Sequence, residues 1–121
     1  MRDYEELYDA VTRAGGLLPV TMGTLRDIEN AGRLGKIVRD RISTNLRHHR
    51  LRHLPLELPN DQNDVVRVYA DSGTLAAVVD AVLRPSEQGD RLLKELATKG
   101  SKKKLNDLRV LLEEAIEILE E

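Results

Sequence analysis

The densest cluster of side chains that could bind a ligand lies between residues 32 and 53. Seven basic side chains and one acidic side chain fall in this segment, and its second half holds all three histidines of the chain, His48, His49 and His53. Phosphate contacts from such cations release condensed counterions, so this density is typical of a surface that binds a polyanion. The formal net charge of the chain is only -2, but the local field steers such a partner.

The sequence offers little for other kinds of chemistry. The chain has no cysteine, which excludes disulfides, thiolate metal sites and cysteine nucleophiles. No phosphate loop, dinucleotide fingerprint or nucleophile motif occurs. His49 and His53 have the i, i+4 spacing of metal ligands, with Glu57 and Asp61 nearby, but histidines on a basic face are the favoured interpretation. We therefore expect no enzymatic activity, no metal and no cofactor.

The basic segment is predicted to form a helix over residues 34–50. Its apolar residues fall within one half of a helical wheel: Leu34, Ile37, Val38, Ile42 and Leu46. The opposite half carries Lys36, Arg39, Asp40, Ser43, Arg47 and Arg50. Arg41 and Asn45 lie within the apolar half, so either their polar ends reach a partner there or the helix has other bounds.

Other elements surround this basic helix. Hydrophobic periodicity and capping residues predict further helices at about 3–14, 21–31, 75–83, 90–97 and 102–120. Residues 17–20 contain Pro19 and fit an extended connector or a short edge strand. Residues 51–69 fit a β-hairpin with a long polar tip, whose best strand signal is the β-branched and aromatic run at 65–69.

The order of helix, connector, helix, turn, basic helix and hairpin over residues 3–70 resembles the winged helix-turn-helix fold. In that family the third helix usually enters the major groove of DNA and the hairpin contacts the backbone or minor groove. The resemblance implies that the third helix presents Lys36, Arg39, Ser43, Arg47 and Arg50 to DNA.

The residue chemistry gives these positions distinct roles. Arg39 and Arg47 suit base edges, because a guanidinium can donate two hydrogen bonds to guanine. Lys36, Arg50 and Arg52 suit phosphates, and Ser43 is short enough for close approach. The basic segment contains no Phe, Tyr or Trp on which unpaired bases could stack, so duplex DNA is favoured over single strands.

Two features weigh against this interpretation. The basic face could be an ordinary solvated surface, neutralised by the acidic end of the chain, which contains Glu113, Glu114, Glu117, Glu120 and Glu121. The predicted hairpin tip carries Asp61 and Asp64, which repel phosphate, and leaves Asn60, Gln62, Asn63 and Arg67 as polar contacts.

A stripe of apolar residues runs along the C-terminal helix at about heptad spacing: Leu105, Leu108, Leu112, Ile116 and Leu119. This stripe either docks on the domain core or pairs with a second copy of the chain, and the second arrangement would suit a palindromic DNA site.

The sequence thus predicts a mainly α-helical fold with a small β-hairpin, with a winged-helix-like DNA-binding part at 1–71 and C-terminal helices at 72–121. The expected function is duplex DNA binding by a small cytoplasmic transcriptional regulator or DNA-organising protein, whose C-terminal stripe either packs on the core or forms a homodimer. The alternative is a protein-interaction adaptor whose basic face docks an acidic partner.

Overall fold

A computed structural model describes residues 1–98 of the chain. Within this range the fold is mixed α/β, with five helices and a three-stranded antiparallel sheet. The helices are α1 (Tyr4–Arg13), α2 (Met22–Ile28), α3 (Lys36–His48), α4 (Thr74–Leu83) and α5 (Glu87–Thr98). The strands are β1 (Leu17–Thr21), β2 (Leu51–Leu54) and β3 (Val65–Ala70). The predicted C-terminal helix and its apolar stripe lie outside the described residues.

The sheet is larger than the predicted hairpin, so the description as mainly α was too narrow. The hairpin strands β2 and β3 form as expected. Of the two forms predicted for residues 17–20, an extended connector or a short edge strand, the structure has the strand, β1, which pairs with β3 to give the order β1-β3-β2. Because β1 is an edge strand, Pro19 is accommodated with an exposed side chain.

Local sequence signals account for the first two helices. The side chain of Asp3 accepts a hydrogen bond from the backbone N–H of Glu6 and caps α1, and Thr21 caps α2 in the same way through the N–H of Thr24. Gly15 and Gly16 follow α1 with φ of 91° and 101°, a backbone conformation that favours glycine.

The chain divides into two compact units, Met1–Asp71 and a second unit that begins at Ser72. The core of the first unit is built from aliphatic side chains on every one of its elements, including Leu7, Met22, Ile42, Leu51 and Val68, each fully buried. In the second unit α4 packs against α5, and a Cβ atom added to Gly89 would lie 3.1 Å from the Cα atom of Ala81. Glycine is therefore what permits the close approach of these two helices.

Candidate nucleic-acid interface

The solvent side of α3 is the surface on which most of the predicted contacts were placed. The helix buries Ile42 and Leu46 in the core. The residues on its opposite side are all exposed, and we call them the outer face: Lys36, Ile37, Asp40, Arg41, Thr44, Arg47 and His48. Three of these seven side chains are permanently cationic and one is acidic, so the outer face carries net positive charge.

The outer face is rotated relative to the sequence prediction. Ile37 was expected in the apolar half, but its side chain is 76% exposed, so that placement was wrong. The predicted orientation of the helix depended in part on Leu34, which is buried but lies before the first residue of α3 and so does not belong to its apolar side. With Ile42 and Leu46 at the centre of the buried side, Arg39 and Ser43 no longer lie on the solvent side, and both are half-buried.

Arg39 is held by the protein itself. Its Nη1 donates a hydrogen bond to the backbone carbonyl of Leu58 at 3.0 Å, and its Nε is buried without a hydrogen-bond partner among the described residues. Arg39 thus fastens α3 to the β2–β3 loop (residues 55–64). Its predicted role in reading bases stays a prediction, and in this conformation part of the guanidinium is already engaged.

Ser43 also faces the hairpin. Its Oγ lies 2.8 Å from Nε2 of His53, whose Nδ1 lies 2.8 Å from the carbonyl oxygen of Pro55. In the neutral ring, Nδ1–H donates to that carbonyl, so Nε2 accepts the proton of the Ser43 hydroxyl. Burial lowers the pKa of His53 from its ordinary value of 6.5, and the nearby Arg47 acts in the same direction. The neutral form that this hydrogen-bond pair requires is therefore favoured.

The remaining predicted contacts lie beyond the end of α3. Arg50 has a positive φ of 60° in the turn before β2, and its guanidinium stands 5.0 Å from the centre of the Tyr8 ring on α1. Arg52 is half-buried on β2, opposite Tyr69 of β3. Of the six predicted DNA-binding residues, Lys36 and Arg47 are the two on the outer face.

The polar residues predicted in the apolar half of α3 do reach a partner. Glu29, at the C-terminal end of α2, has a side chain only 8% exposed. Its carboxylate accepts hydrogen bonds from Nδ2 of Asn45 at 2.9 and 3.1 Å and from the hydroxyl of Tyr4, and Arg41 Nε lies 4.0 Å away. Burial, with help from Glu29, raises the pKa of the Tyr4 hydroxyl far above its ordinary value of 10. This cluster joins α1, α2 and α3.

The β2–β3 loop is folded back on the start of α2. The backbone N–H groups of Met22 and Gly23 donate to the carbonyl oxygens of Asp64 and Gln62, each at 2.9 Å. Nη1 of Arg26 donates to Oε1 of Gln62 at 2.6 Å. Gln62 was one of the polar residues predicted as a contact at the hairpin tip. Its side chain and its backbone carbonyl are both engaged in hydrogen bonds with other residues of the protein.

A cleft of about 400 Å³ separates α3 from the β2–β3 loop. Its lining includes the basic residues Lys36 and Arg39 and the acidic residues Asp40 and Glu57, so it does not have the uniform charge of an anion pocket. Among residues 1–98, no three His, Asp or Glu side chains come together as a metal site.

Sequence reasoning missed part of the outer face. Thr44 was assigned no role, and Arg41 and His48 were not among the predicted DNA contacts. The signal that identifies them is their spacing from Ile42 and Leu46, the two residues whose burial sets the orientation of the helix.

Comparison with protein-family models, curated proteins and solved structures finds no match to this chain. No helix in the described part of the chain has both the length and the apolar character needed to cross a membrane.

Proposed function

We propose that this chain binds duplex DNA, with α3 inserted into the major groove, and acts as a small regulator or DNA-organising protein of winged-helix type. The observation that carries the proposal is the outer face of α3, where Lys36, Arg41 and Arg47 are exposed while the opposite side of the helix is buried. Cations on one side of a rigid helix can contact the phosphates on both walls of a groove.

The arrangement of elements around α3 supports the same proposal. The first unit has the element order α1-β1-α2-α3-β2-β3 with the sheet order β1-β3-β2, an order that resembles winged helix-turn-helix proteins. The loop of the hairpin, by contrast, carries Glu57, Asp61 and Asp64 on its exposed surface. We therefore assign the main DNA contact to α3 and no phosphate contact to the β2–β3 loop.

The proposal is tested by fluorescence anisotropy with a labelled random-sequence duplex across a salt series. The double variant Lys36→Ala, Arg47→Ala removes two exposed cations of the outer face. We expect its affinity to fall at least tenfold at low salt. The slope of the logarithm of affinity against the logarithm of salt concentration should become shallower by about one unit for each phosphate that the variant no longer neutralises.

A matched control removes the same charge elsewhere in the first unit. Arg2 and Arg13 flank or belong to α1 and are exposed, so Arg2→Ala, Arg13→Ala should reduce affinity much less. Absence of duplex binding by the wild-type chain at low salt, or equal losses of affinity in both double variants, would contradict the proposal.

A second candidate is an adaptor that docks an acidic protein partner. Ile37 and Leu56 favour it, because both are large apolar side chains, 76% and 64% exposed, and one of them lies among the cations of the outer face. This candidate predicts no titratable duplex binding, so the anisotropy experiment also decides between the two.

A further inference from the structure

The side chains at the centre of the outer face are not suited to contacts with phosphate. Ile37 and Thr44 are seven residues apart, so they lie on the same line along the helix, with Asp40 between them; all three are exposed. An isoleucine gains nothing from a phosphate, and a carboxylate repels one. The cations Lys36, Arg41 and Arg47 lie to either side of this line.

A face with cations at its margins and apolar or acidic groups at its centre is chemically complementary to the major groove. There the phosphates line the two walls and the edges of the base pairs form the floor. In the major groove, thymine presents the only methyl group, which accepts apolar contact, and cytosine presents an amino group that can donate to a carboxylate. Ile37 occupies the first turn of α3, the part of a recognition helix that contacts base edges. Its 76% exposure leaves it free to make that contact.

We propose that the protein reads DNA sequence at this line, with Ile37 packing against the 5-methyl group of a thymine. This proposal rests on the proposed function, since it requires α3 to enter the major groove of duplex DNA. Thr44 lies about 10 Å further along the helix axis, which corresponds to roughly three base-pair steps. Its methyl group is placed for a second apolar contact.

The experiment compares thymine with deoxyuracil, which lacks only the methyl group. A randomised duplex pool is first enriched on the wild-type chain of residues 1–121, and the enriched duplex is then made with each thymine replaced in turn by deoxyuracil. We expect affinity to fall about fourfold at a contacted thymine, the effect of one buried methyl group. At the thymine that Ile37 contacts, the Ile37→Ala variant should bind the thymine and deoxyuracil forms of the duplex with equal affinity.

Leu56→Ala is the matched control, because Leu56 is an exposed aliphatic residue outside α3; it should keep the full deoxyuracil penalty. Enrichment without a consensus, no thymine that responds, or an unchanged penalty in Ile37→Ala would overturn the proposal while duplex binding itself stands. Failure of the wild-type chain to retain any duplex would instead overturn the proposed function and this inference with it.

Discussion

Glu29 organises three helices through a single carboxylate. It accepts hydrogen bonds from Tyr4 of α1 and Asn45 of α3, and Arg41 approaches it from the solvent side. Tyr4 in turn stacks on His49, with ring centres 5.1 Å apart. Removing one member of such a cluster leaves its partners buried and unpaired, which costs more than the hydrogen bonds themselves contribute.

We expect Glu29→Ala to lower the free energy of unfolding by about 2 kcal/mol, because the Tyr4 hydroxyl and the Asn45 amide lose their acceptor. Urea unfolding measures the change. The control is Asp27→Ala, which removes an acid from the same helix whose side chain is 69% exposed and should change stability by less than about 0.5 kcal/mol. Equal effects of the two substitutions would show that the cluster does not stabilise the fold.

His53 makes stability depend on pH. Because its pKa in the folded protein is lowered from 6.5, the unfolded chain binds a proton more readily than the folded one. The contribution of neutral His53 is therefore complete above pH 6.5 and is lost as the pH falls below that value toward the lowered pKa.

Urea unfolding between about pH 7.5 and pH 5 tests this expectation. The decisive comparison is between wild type and His53→Gln, because the substitution removes only this imidazole. Stability of the variant should fall less steeply with decreasing pH. An equally steep fall in both proteins would mean that protonation of His53 does not cause the pH dependence of stability.

Among the contacts between elements, the hydrogen bond of Arg39 connects two parts of the fold. Arg39 donates to the carbonyl of Leu58, a loop residue that is itself buried at 4% exposure. The hydrogen bond joins α3 to the β2–β3 loop and, with the pair formed by Ser43 and His53, determines how the hairpin lies against the helix.

We expect Arg39→Ala to lower the free energy of unfolding by about 1.5 kcal/mol, since it removes a charged donor from a partly buried carbonyl. Lys36→Ala is the control from the same helix and the same cleft; Lys36 is exposed, so its loss should change stability by less than about 0.5 kcal/mol. A neutral Arg39→Ala substitution would refute the structural role.

Helices α4 and α5 approach each other closely where Gly89 meets Ala81. A leucine at position 89 cannot fit against Ala81, where even a Cβ atom would be 3.1 Å from the backbone, so Gly89→Leu should separate the two helices. Amide hydrogen exchange should show reduced protection in both. Gln88→Leu, a change at an exposed neighbour, should leave protection unchanged, and equal protection in both variants would contradict the predicted packing.

The first unit, Met1–Asp71, has a hydrophobic core of its own. Each of its six elements contributes buried apolar side chains to one cluster. A unit with its own core is expected to fold alone. A chain of residues 1–71 should therefore unfold cooperatively in urea and retain its near-ultraviolet tyrosine signal; a broad, non-cooperative transition would show that the first unit depends on the rest of the chain.

The order of elements and most of their ends could be predicted from the amino-acid sequence. Capping by Asp3 and Thr21, the glycine pair after α1 and the β-branched run of β3 are local signals, because a helix end or a strand depends mainly on neighbouring residues. For Arg41 and Asn45 the sequence predicted either a polar partner or other helix bounds, since polar groups in an apolar face must be satisfied, and Glu29 is that partner.

The direction in which α3 faces, by contrast, was set by packing in three dimensions. A helix of 13 residues with apolar groups spread over half its wheel has several similar orientations, and the choice among them depends on which side chains fit the core. Ile42 and Leu46 fill that space, Ile37 is left in solvent, and Arg39 and Ser43 turn to the hairpin. These contacts join separate elements of the fold, so no local pattern contains them.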